Sequence, residues 1–312
     1  MSRLSRLSPG AYRQVTLFAL AALAFIIVTG GAVRLTGSGL GCPQWPNCSA
    51  GHLTPHDSTN YHPAVEFINR AITGLVSVAV AVAVLGALVR VPRRRDLTWL
   101  SAGLVAGVAA QIVLGGETVR HRLDPGFVMA HFLLSMAIVW DAVVLHHRAG
   151  LPDGALPAPA AEPELVWAGR AIAALAGVTV VLGTIVTGSG PHGGDDRVQR
   201  WSLDLHRVTQ LHGTAAMLLV VLSAVTVWRL HAAGAPPALM ERGRHVLEAL
   251  GIQVAIGYTQ YFTGVPVLLV GFHILGAVAV WAAGLQLALA VGSGATRQPG
   301  AAPAPVPVST GV

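Results

Sequence analysis

Eight long apolar segments, separated by shorter polar stretches, dominate the pattern of this chain. They lie at about 15–33, 65–89, 98–118, 126–146, 166–187, 207–228, 246–263 and 266–291. An α-helix of about 20 apolar residues crosses the hydrocarbon core of a bilayer. The pattern therefore predicts eight transmembrane helices. The fourth and sixth segments are the least continuous, because histidines and an aspartate interrupt them.

Two short motifs occur twice along the chain. Thr-Gly-Ser-Gly follows the first apolar segment at 36–39 and the fifth at 187–190. Gln-Ile-Val-Leu-Gly at 111–115 matches Gln-Val-Ala-Ile-Gly at 253–257. Four predicted helices fall in each repeat, so both repeats enter the membrane in the same direction. We predict an all-α integral membrane protein, with eight transmembrane helices as two tandem pseudo-symmetric four-helix bundles.

A Pro-, Ala- and Gly-rich stretch separates the two repeats and sets the predicted domain boundaries. Residues 1–148 form the N-terminal bundle, 149–164 a flexible cytoplasmic linker, and 165–293 the C-terminal bundle. Residues 294–312 are again rich in Pro and Ala, a composition typical of a disordered tail.

Composition and charge agree with a membrane protein. Apolar residues make up 53% of the chain and charged residues 11%, against about 25% charged in an average soluble domain. All of the Lys-plus-Arg charge is arginine, concentrated at both termini and in the even-numbered connections, which the positive-inside rule places in the cytoplasm. We expect a multi-pass plasma-membrane protein with cytoplasmic termini. The net charge of +6 reports topology and not nucleic-acid binding.

The first loop on the opposite side of the membrane contains both cysteines of the chain, Cys42 and Cys48. An exported loop lies in an oxidising space, where paired cysteines form disulfides. We predict a Cys42–Cys48 disulfide; two free thiols, or a metal pair lacking further ligands, are the alternatives.

One histidine recurs at the same place in each repeat. His131 and His273 are 142 residues apart, and each is followed about two turns later by a tryptophan, Trp140 and Trp281. A histidine within a transmembrane helix is costly and faces the bundle interior. Helical bundles build cofactor sites from such side chains, and an imidazole can bind iron through one ring nitrogen. The duplication therefore points to haem.

A haem with two histidine ligands needs a second histidine from another helix. In the C-terminal repeat the candidates are His206 and His212, six residues apart and so on different faces of one helix. We prefer His212, which lies deeper and is followed by small residues. His206, with Arg207, is the alternative as a neighbour of a haem propionate.

The matching N-terminal segment has different chemistry. Glu66 and Asn69 are three residues apart on one helical face, and Glu66 and Arg70 are four apart. An interfacial Glu66–Arg70 ion pair of purely structural role is one interpretation. The other is a carboxylate facing a pocket in which His131 is the one good iron ligand, which suits a substrate site.

These residues resemble the haem A synthase family. Residues 33–40 followed by the Cys42–Cys48 loop are similar to the first outer loop of that family, and 66–70 resembles its Glu-x-x-His-Arg motif. The motifs at 111–119 and 187–192 also fit, and the resemblance covers about 15–290.

The resemblance implies a reaction and a site. Family members oxidise the C8 methyl of haem O to the formyl group of haem A by successive hydroxylations with oxygen from water. It implies that His212 and His273 bind the iron of a resident haem b, and that His131 binds or contacts haem O. Glu66 would be catalytic near the reacting methyl, with Asn69 and Arg70 in the substrate site and His206 near haem b.

Asn69 stands where the family motif has histidine. Either haem O is five-coordinate or water-ligated there, or another residue such as His62 substitutes. We favour the first, because His62 lies seven residues away and nearer the loop.

The expected partners are haem O, haem A, membrane lipid, a haem O synthase and an electron acceptor; a homo-oligomer stays open. The main alternative function is a di-haem b-type electron-transfer cytochrome without haem-modifying activity. A third is a small-molecule transporter built from parallel repeats, which would be colourless.

Overall fold

The computed structural model describes residues 6–55, 60–154 and 157–295, and over these residues it is almost entirely helical. Its eight long helices are α1 Pro9–Leu35, α2 His62–Val89, α3 Arg95–Arg120, α4 Pro125–Ala149, α5 Pro163–Ser189, α6 Leu205–Ala232, α7 Pro237–Phe262 and α8 Val267–Gly292. A two-residue antiparallel ladder joins β1 Pro157–Ala158 to β2 Gly294–Ala295. The all-α prediction is confirmed. The predicted disordered tail, apart from its first residues, lies outside the described part of the chain.

Several helices begin at a polar cap ahead of the apolar segment that predicted them. The Ser8 side chain accepts from the backbone N–H of Ala11, which starts α1. The Asp204 side chain accepts from the N–H groups of His206 and Arg207, which starts α6. Such caps satisfy backbone donors that have no partner in the first helical turn.

Seven of these eight helices are long and apolar enough to cross a membrane, so the chain is a membrane protein. The exception in the described residues is α7, although one of the eight predicted spans, 246–263, lies at its C-terminal end. Charged residues fill its first half: Glu241, Arg242, Arg244 and Glu248. Seven of the eight predicted spans are therefore confirmed as apolar helices, and the remaining one, 246–263, stays a prediction because it shares α7 with these charged residues.

The helices contact one another in two groups. In the N-terminal half (α1–α4), α1 contacts α2 and α4, and α3 contacts α2 and α4. In the C-terminal half (α5–α8), α5 contacts α6 and α8, and α7 contacts α6 and α8. The halves meet where α8 packs against α1 and α4, and where α4 packs against α5.

Apolar side chains cover the outside of the helices as well as the core. Trp99 is 77% exposed and Phe262 76% exposed. Helices that are apolar on all sides are typical of a lipid environment, where no hydrophobic effect drives these side chains inward. His131, His212, His273 and Glu66 lie near the N-terminal ends of their helices, on the same side as the loops that follow α1 and α5.

Candidate functional site

Two histidines of the C-terminal half face each other. His212 on α6 and His273 on α8 have ring centroids 6.1 Å apart, with the ring planes at 72°. An imidazole nitrogen binds a first-row metal at about 2 Å, so two histidines sharing one iron have ring centroids about 6 Å apart. The pair therefore fits the two axial positions of one haem.

His206 lies apart from this pair. Its side chain is exposed, and its ring nitrogens lie 3.2 Å from the Tyr261 hydroxyl and 2.8 Å from the Gln210 amide nitrogen. The structure thus brings His212, and not His206, next to His273.

A hydrogen bond orients the His212 ring, whereas His273 is held through its backbone. His212 Nδ1 lies 3.0 Å from the backbone oxygen of Thr179. Because a carbonyl oxygen can only accept, Nδ1 carries the proton and Nε2 keeps a free lone pair for a metal. Gln253 donates to the backbone oxygen of His273 at 2.8 Å, and Gln111 does the same for His131 at 3.0 Å. The repeated glutamines thus tie each histidine-bearing helix to its neighbour.

The side chains of His131, His212 and His273 each pack against a glycine of another helix. A Cβ added at that glycine would lie 3.1–3.2 Å from the histidine Cε1. The pairs are Gly115 with His131, Gly183 with His212, and Gly257 with His273. Two of these glycines, Gly115 and Gly257, belong to the repeated motif, but the sequence did not indicate that they pack against a histidine ring.

We expect Gly257→Ala to displace the His273 ring and weaken haem retention about tenfold, because overpacking costs about 1–3 kcal/mol. The measurement is haem content per protein after purification. Gly251→Ala, on the same helix, is the matched control, since nothing lies within 4 Å of a Cβ added there. Equal haem content in the two variants would show that the glycine does not seat the ring.

The N-terminal half has asparagine where the C-terminal half has His212. Helices α2 and α6 are both 28 residues long and begin at His62 and Leu205, an offset of 143. The same offset places Asn69 at the position of His212, while His131 corresponds to His273. In the part of the chain described, Asn69 Oδ1 and His131 Nδ1 are buried without a hydrogen-bond partner. Buried polar atoms without partners are uncommon, so these two fit a site that takes a ligand.

Glu66 is tied to the disulfide loop. Its side chain is buried, with Oε2 accepting the backbone N–H of Cys42 at 2.6 Å and Oε1 accepting from Arg70 Nη2 at 2.5 Å. The ion pair allowed for in the sequence is therefore present. It does not stand alone, because the same carboxylate anchors the loop.

Arg70 clamps the loop from the other side. Besides Glu66, its guanidinium donates to the backbone oxygens of Cys42 at 2.8 Å, Pro46 at 3.2 Å and Asn47 at 3.3 Å. Backbone acceptors of the loop thus occupy the donors that were expected to serve the substrate haem.

The loop itself closes as predicted, through a Cys42–Cys48 disulfide. Trp45 lies against Gly116 of α3, with the Arg120 guanidinium 5.0 Å from its ring centroid. The N–H of Gly39 donates to the backbone oxygen of Gly194 at 2.9 Å. The loop therefore rests on the N-terminal half and is bonded to the loop between α5 and α6.

The two Thr-Gly-Ser-Gly motifs have different neighbours. In the first, the Ser38 hydroxyl lies 2.9 Å from His62 Nδ1. In the second, Arg200 donates to the backbone oxygens of Thr187 and Gly190. His62, the alternative iron ligand, is thus hydrogen-bonded to the first motif and lies at the first residue of α2, two turns from Asn69.

A comparison with protein families identifies the relationship. The model of the COX15-CtaA family, cytochrome oxidase assembly protein, matches residues 13–191, which is more than half of the chain. The chain belongs to this family. The matched part contains the disulfide loop, Glu66, Asn69, Arg70 and His131.

Curated relatives of this chain carry the name heme A synthase. The protein of Lysinibacillus sphaericus is 31% identical over 137 residues, 43% of this chain and 44% of the relative. That of Geobacillus kaustophilus is 32% identical over 109 residues, 34% of this chain and 32% of the relative. That of Listeria welshimeri is 31% identical over 122 residues, 38% and 39% respectively. The resemblance to the haem A synthase family is confirmed, and the matches span less than half the length of these relatives.

Proposed function

We propose that this protein is a haem A synthase that oxidises the C8 methyl of haem O to a formyl group by successive hydroxylations, with oxygen from water. The observation that carries the proposal is the facing pair His212 and His273 at 6.1 Å, in a chain of this family. Its counterpart in the other half, His131 with Asn69, has one good iron ligand only. In the proposal, the C-terminal half retains a haem as a resident cofactor, and the N-terminal half binds haem O as the substrate.

The proposed reaction fixes what the protein must handle. Replacing two methyl hydrogens by one oxygen of water releases four protons and four electrons per formyl group. The protons need an acceptor close to the methyl, and the electrons need a path to an acceptor outside the protein. Each half supplies one of these requirements.

In the C-terminal half, His212 and His273 would hold haem b, which supplies one-electron transfer when bound. The Thr179 carbonyl keeps His212 in the tautomer whose Nε2 can bind iron. Gly183 and Gly257 give the two rings room to pack closely against the neighbouring helices, which restricts where the rings can lie. These residues pre-organise the site, which lowers the cost of binding.

In the N-terminal half, His131 would contact the iron of haem O from α4. An amide is a poor iron ligand, so Asn69 leaves the opposite face of the substrate open, where a histidine would occupy it. Glu66 is the proton acceptor in the proposal, because it is a buried carboxylate within one turn of Asn69. Arg70 keeps Glu66 and the Cys42–Cys48 loop together and is a positioning residue.

The proposed architecture is two tandem pseudo-symmetric bundles, 1–148 for haem O and 165–293 for haem b, in the plasma membrane with cytoplasmic termini. The separate contact groups of α1–α4 and α5–α8 support it. So does the equal length of α3 and α7, both 26 residues and offset by 142.

Co-expression with a haem O source tests the function. We expect haem A in the extracted pigment, identified by its mass and its pyridine haemochrome spectrum. The His131→Ala variant with haem b still bound is the matched negative control. Unconverted haem O in a haem-loaded sample that has an electron acceptor would favour the b-type cytochrome, and a colourless protein would favour the transporter.

A further inference from the structure

A basic cluster lies where the two halves meet, at the end of the molecule that contains the N-terminus. It consists of Arg13 on α1, His146 and His147 on α4, and Arg242 on α7. Three of its members come from the N-terminal half and one from the C-terminal half. None of these residues takes part in the proposed reaction, which lies near the opposite ends of the helices.

Neutral groups hold the four side chains in place. His146 Nδ1 lies 3.0 Å from the Thr16 hydroxyl, and His147 Nε2 lies 2.9 Å from the Ser293 hydroxyl. Arg242 donates to Gln286 Oε1 at 3.2 Å. The Arg13 guanidinium packs over Gly150, where an added Cβ would lie 3.1 Å from Nε. The cluster is built by packing and neutral hydrogen bonds.

The cluster is short of negative charge. Arg13 and Arg242 act electrostatically on the His146 imidazole and on each other. Neither forms an ion pair within 4 Å among the described residues. Glu241 acts on Arg242 from an exposed position without pairing with it.

Nearby carboxylates are committed to other arginines. Asp96 pairs with Arg94 at 2.8 Å and lies 4.0 Å from Arg148. Asp153 pairs with Arg90 at 2.7 Å. The two arginines of the cluster thus repel each other and have no counterion among the described residues, so an anion that contacts both would be stabilised there.

The position of the cluster favours a lipid as the source of that anion. Arg13 lies near the start of α1, and the histidines lie in the last turn of α4, so both are at the boundary between lipid tails and water. Leu17, one turn from Arg13 on the same helical face, is 46% exposed, and its neighbour Phe18 is 66% exposed. The basic cluster, which can contact a lipid headgroup, therefore lies next to exposed apolar side chains that can contact an acyl chain.

We propose that the basic cluster binds the phosphate group of an anionic phospholipid, which bridges the two halves. Arginine guanidiniums bind phosphate oxygens through charge-assisted hydrogen bonds. Basic pockets between helices at this interface are suited to anionic headgroups. The lipid links α1 and α4 of one half to α7 of the other without entering the reaction.

Thermal unfolding in nanodiscs tests the site. We expect phosphatidylcholine discs containing phosphatidylglycerol to raise the unfolding midpoint of the full-length protein by about 5 °C over pure phosphatidylcholine. The double variant Arg13→Gln, Arg242→Gln should lose this shift. The control Arg229→Gln, Arg244→Gln should keep it, because those arginines are exposed and lie near Glu164 and Glu248.

Additional conditions distinguish a bound lipid from a free anion and test whether the arginines form the site. Inorganic phosphate added to phosphatidylcholine discs should give no comparable shift; an equal shift would overturn the lipid in favour of a free anion. No shift in the wild type, or a full shift in the double variant, would overturn the site. If the double variant does not fold, Arg242→Gln alone should reduce the shift while Arg242→Lys keeps most of it. Haem b absorbance reports folding in every arm, so failure of the lipid proposal leaves the proposed function untouched.

Discussion

His273→Ala is expected to reduce haem b in the purified protein from about one per chain to less than a tenth. The His273 ring is one of two that face each other at 6.1 Å, and it has no equivalent within reach on α8. On the proposed function, losing this ring would leave His212 as the one remaining histidine to hold haem b. The measurement is the reduced-minus-oxidised b-type spectrum, scaled to protein.

Two companion variants sharpen this expectation. His212→Ala should lose haem b to a similar degree, whereas His206→Ala should retain it, because His206 is exposed and lies near Tyr261 and Gln210. Imidazole added to the His273→Ala protein should restore part of the b-type signal by filling the vacated space. A normal spectrum in His273→Ala would place the haem elsewhere, and loss in His206→Ala alone would reverse the choice between the two histidines.

Glu66→Ala is expected to abolish conversion of haem O to haem A while haem b stays bound. Removing a general acid or base costs about 10²–10⁴-fold in rate. The haem b site draws on helices of the other half and should be unaffected. The measurement is the haem A to haem O ratio in extracted pigment, with the b-type spectrum recorded on the same sample. Glu117→Gln is the matched control, since Glu117 is half-exposed and pairs with Arg120 at 2.6 Å.

Glu66→Gln separates the loop contact that the structure shows for this side chain from its proposed role in proton transfer. The amide oxygen of glutamine can still accept the Cys42 N–H, so this loop contact survives, while the ion pair with Arg70, the charge and the proton acceptor are lost. We expect Glu66→Gln to be nearly as inactive as Glu66→Ala. An active Glu66→Gln beside an inactive Glu66→Ala would mean that Glu66 holds the loop and takes no part in proton transfer.

The helices and the histidine-bearing positions could be predicted because their signals are local or repeated. Apolar segments located all eight helices, and the 142-residue offset picked out His131 and His273. The span at α7 differs from the other seven for a physical reason. The charged first half of α7 shares one helix with an apolar second half, and the apolar segment alone did not indicate that the helix begins earlier.

The surroundings of Glu66 could not be predicted from spacing. An offset of four residues indicated the Arg70 pair, but the bond to the Cys42 N–H joins a helix to a loop 24 residues away. The guanidinium contacts to three loop carbonyls depend on how that loop folds back. Such contacts arise from tertiary packing, and no periodicity in the sequence encodes them.

The glycines that pack against the histidine rings could be predicted in part. Gly115 and Gly257 stood inside a motif that was already noted as repeated, so their importance could be predicted and their partner could not. Asn69 is similar. Its departure from the family motif is visible in the sequence, but its equivalence to His212 needs the helix limits to be known.

The repeated tryptophans, Trp140 and Trp281, have different surroundings in the two halves. Trp281 donates its indole N–H to the backbone oxygen of Met136 at 2.9 Å, across the boundary between the halves. Trp140, its counterpart, is 52% exposed. The boundary between the two halves is therefore not symmetric. Its hydrogen bond between α8 and α4 comes from Trp281, while the counterpart Trp140 leaves much of its ring exposed.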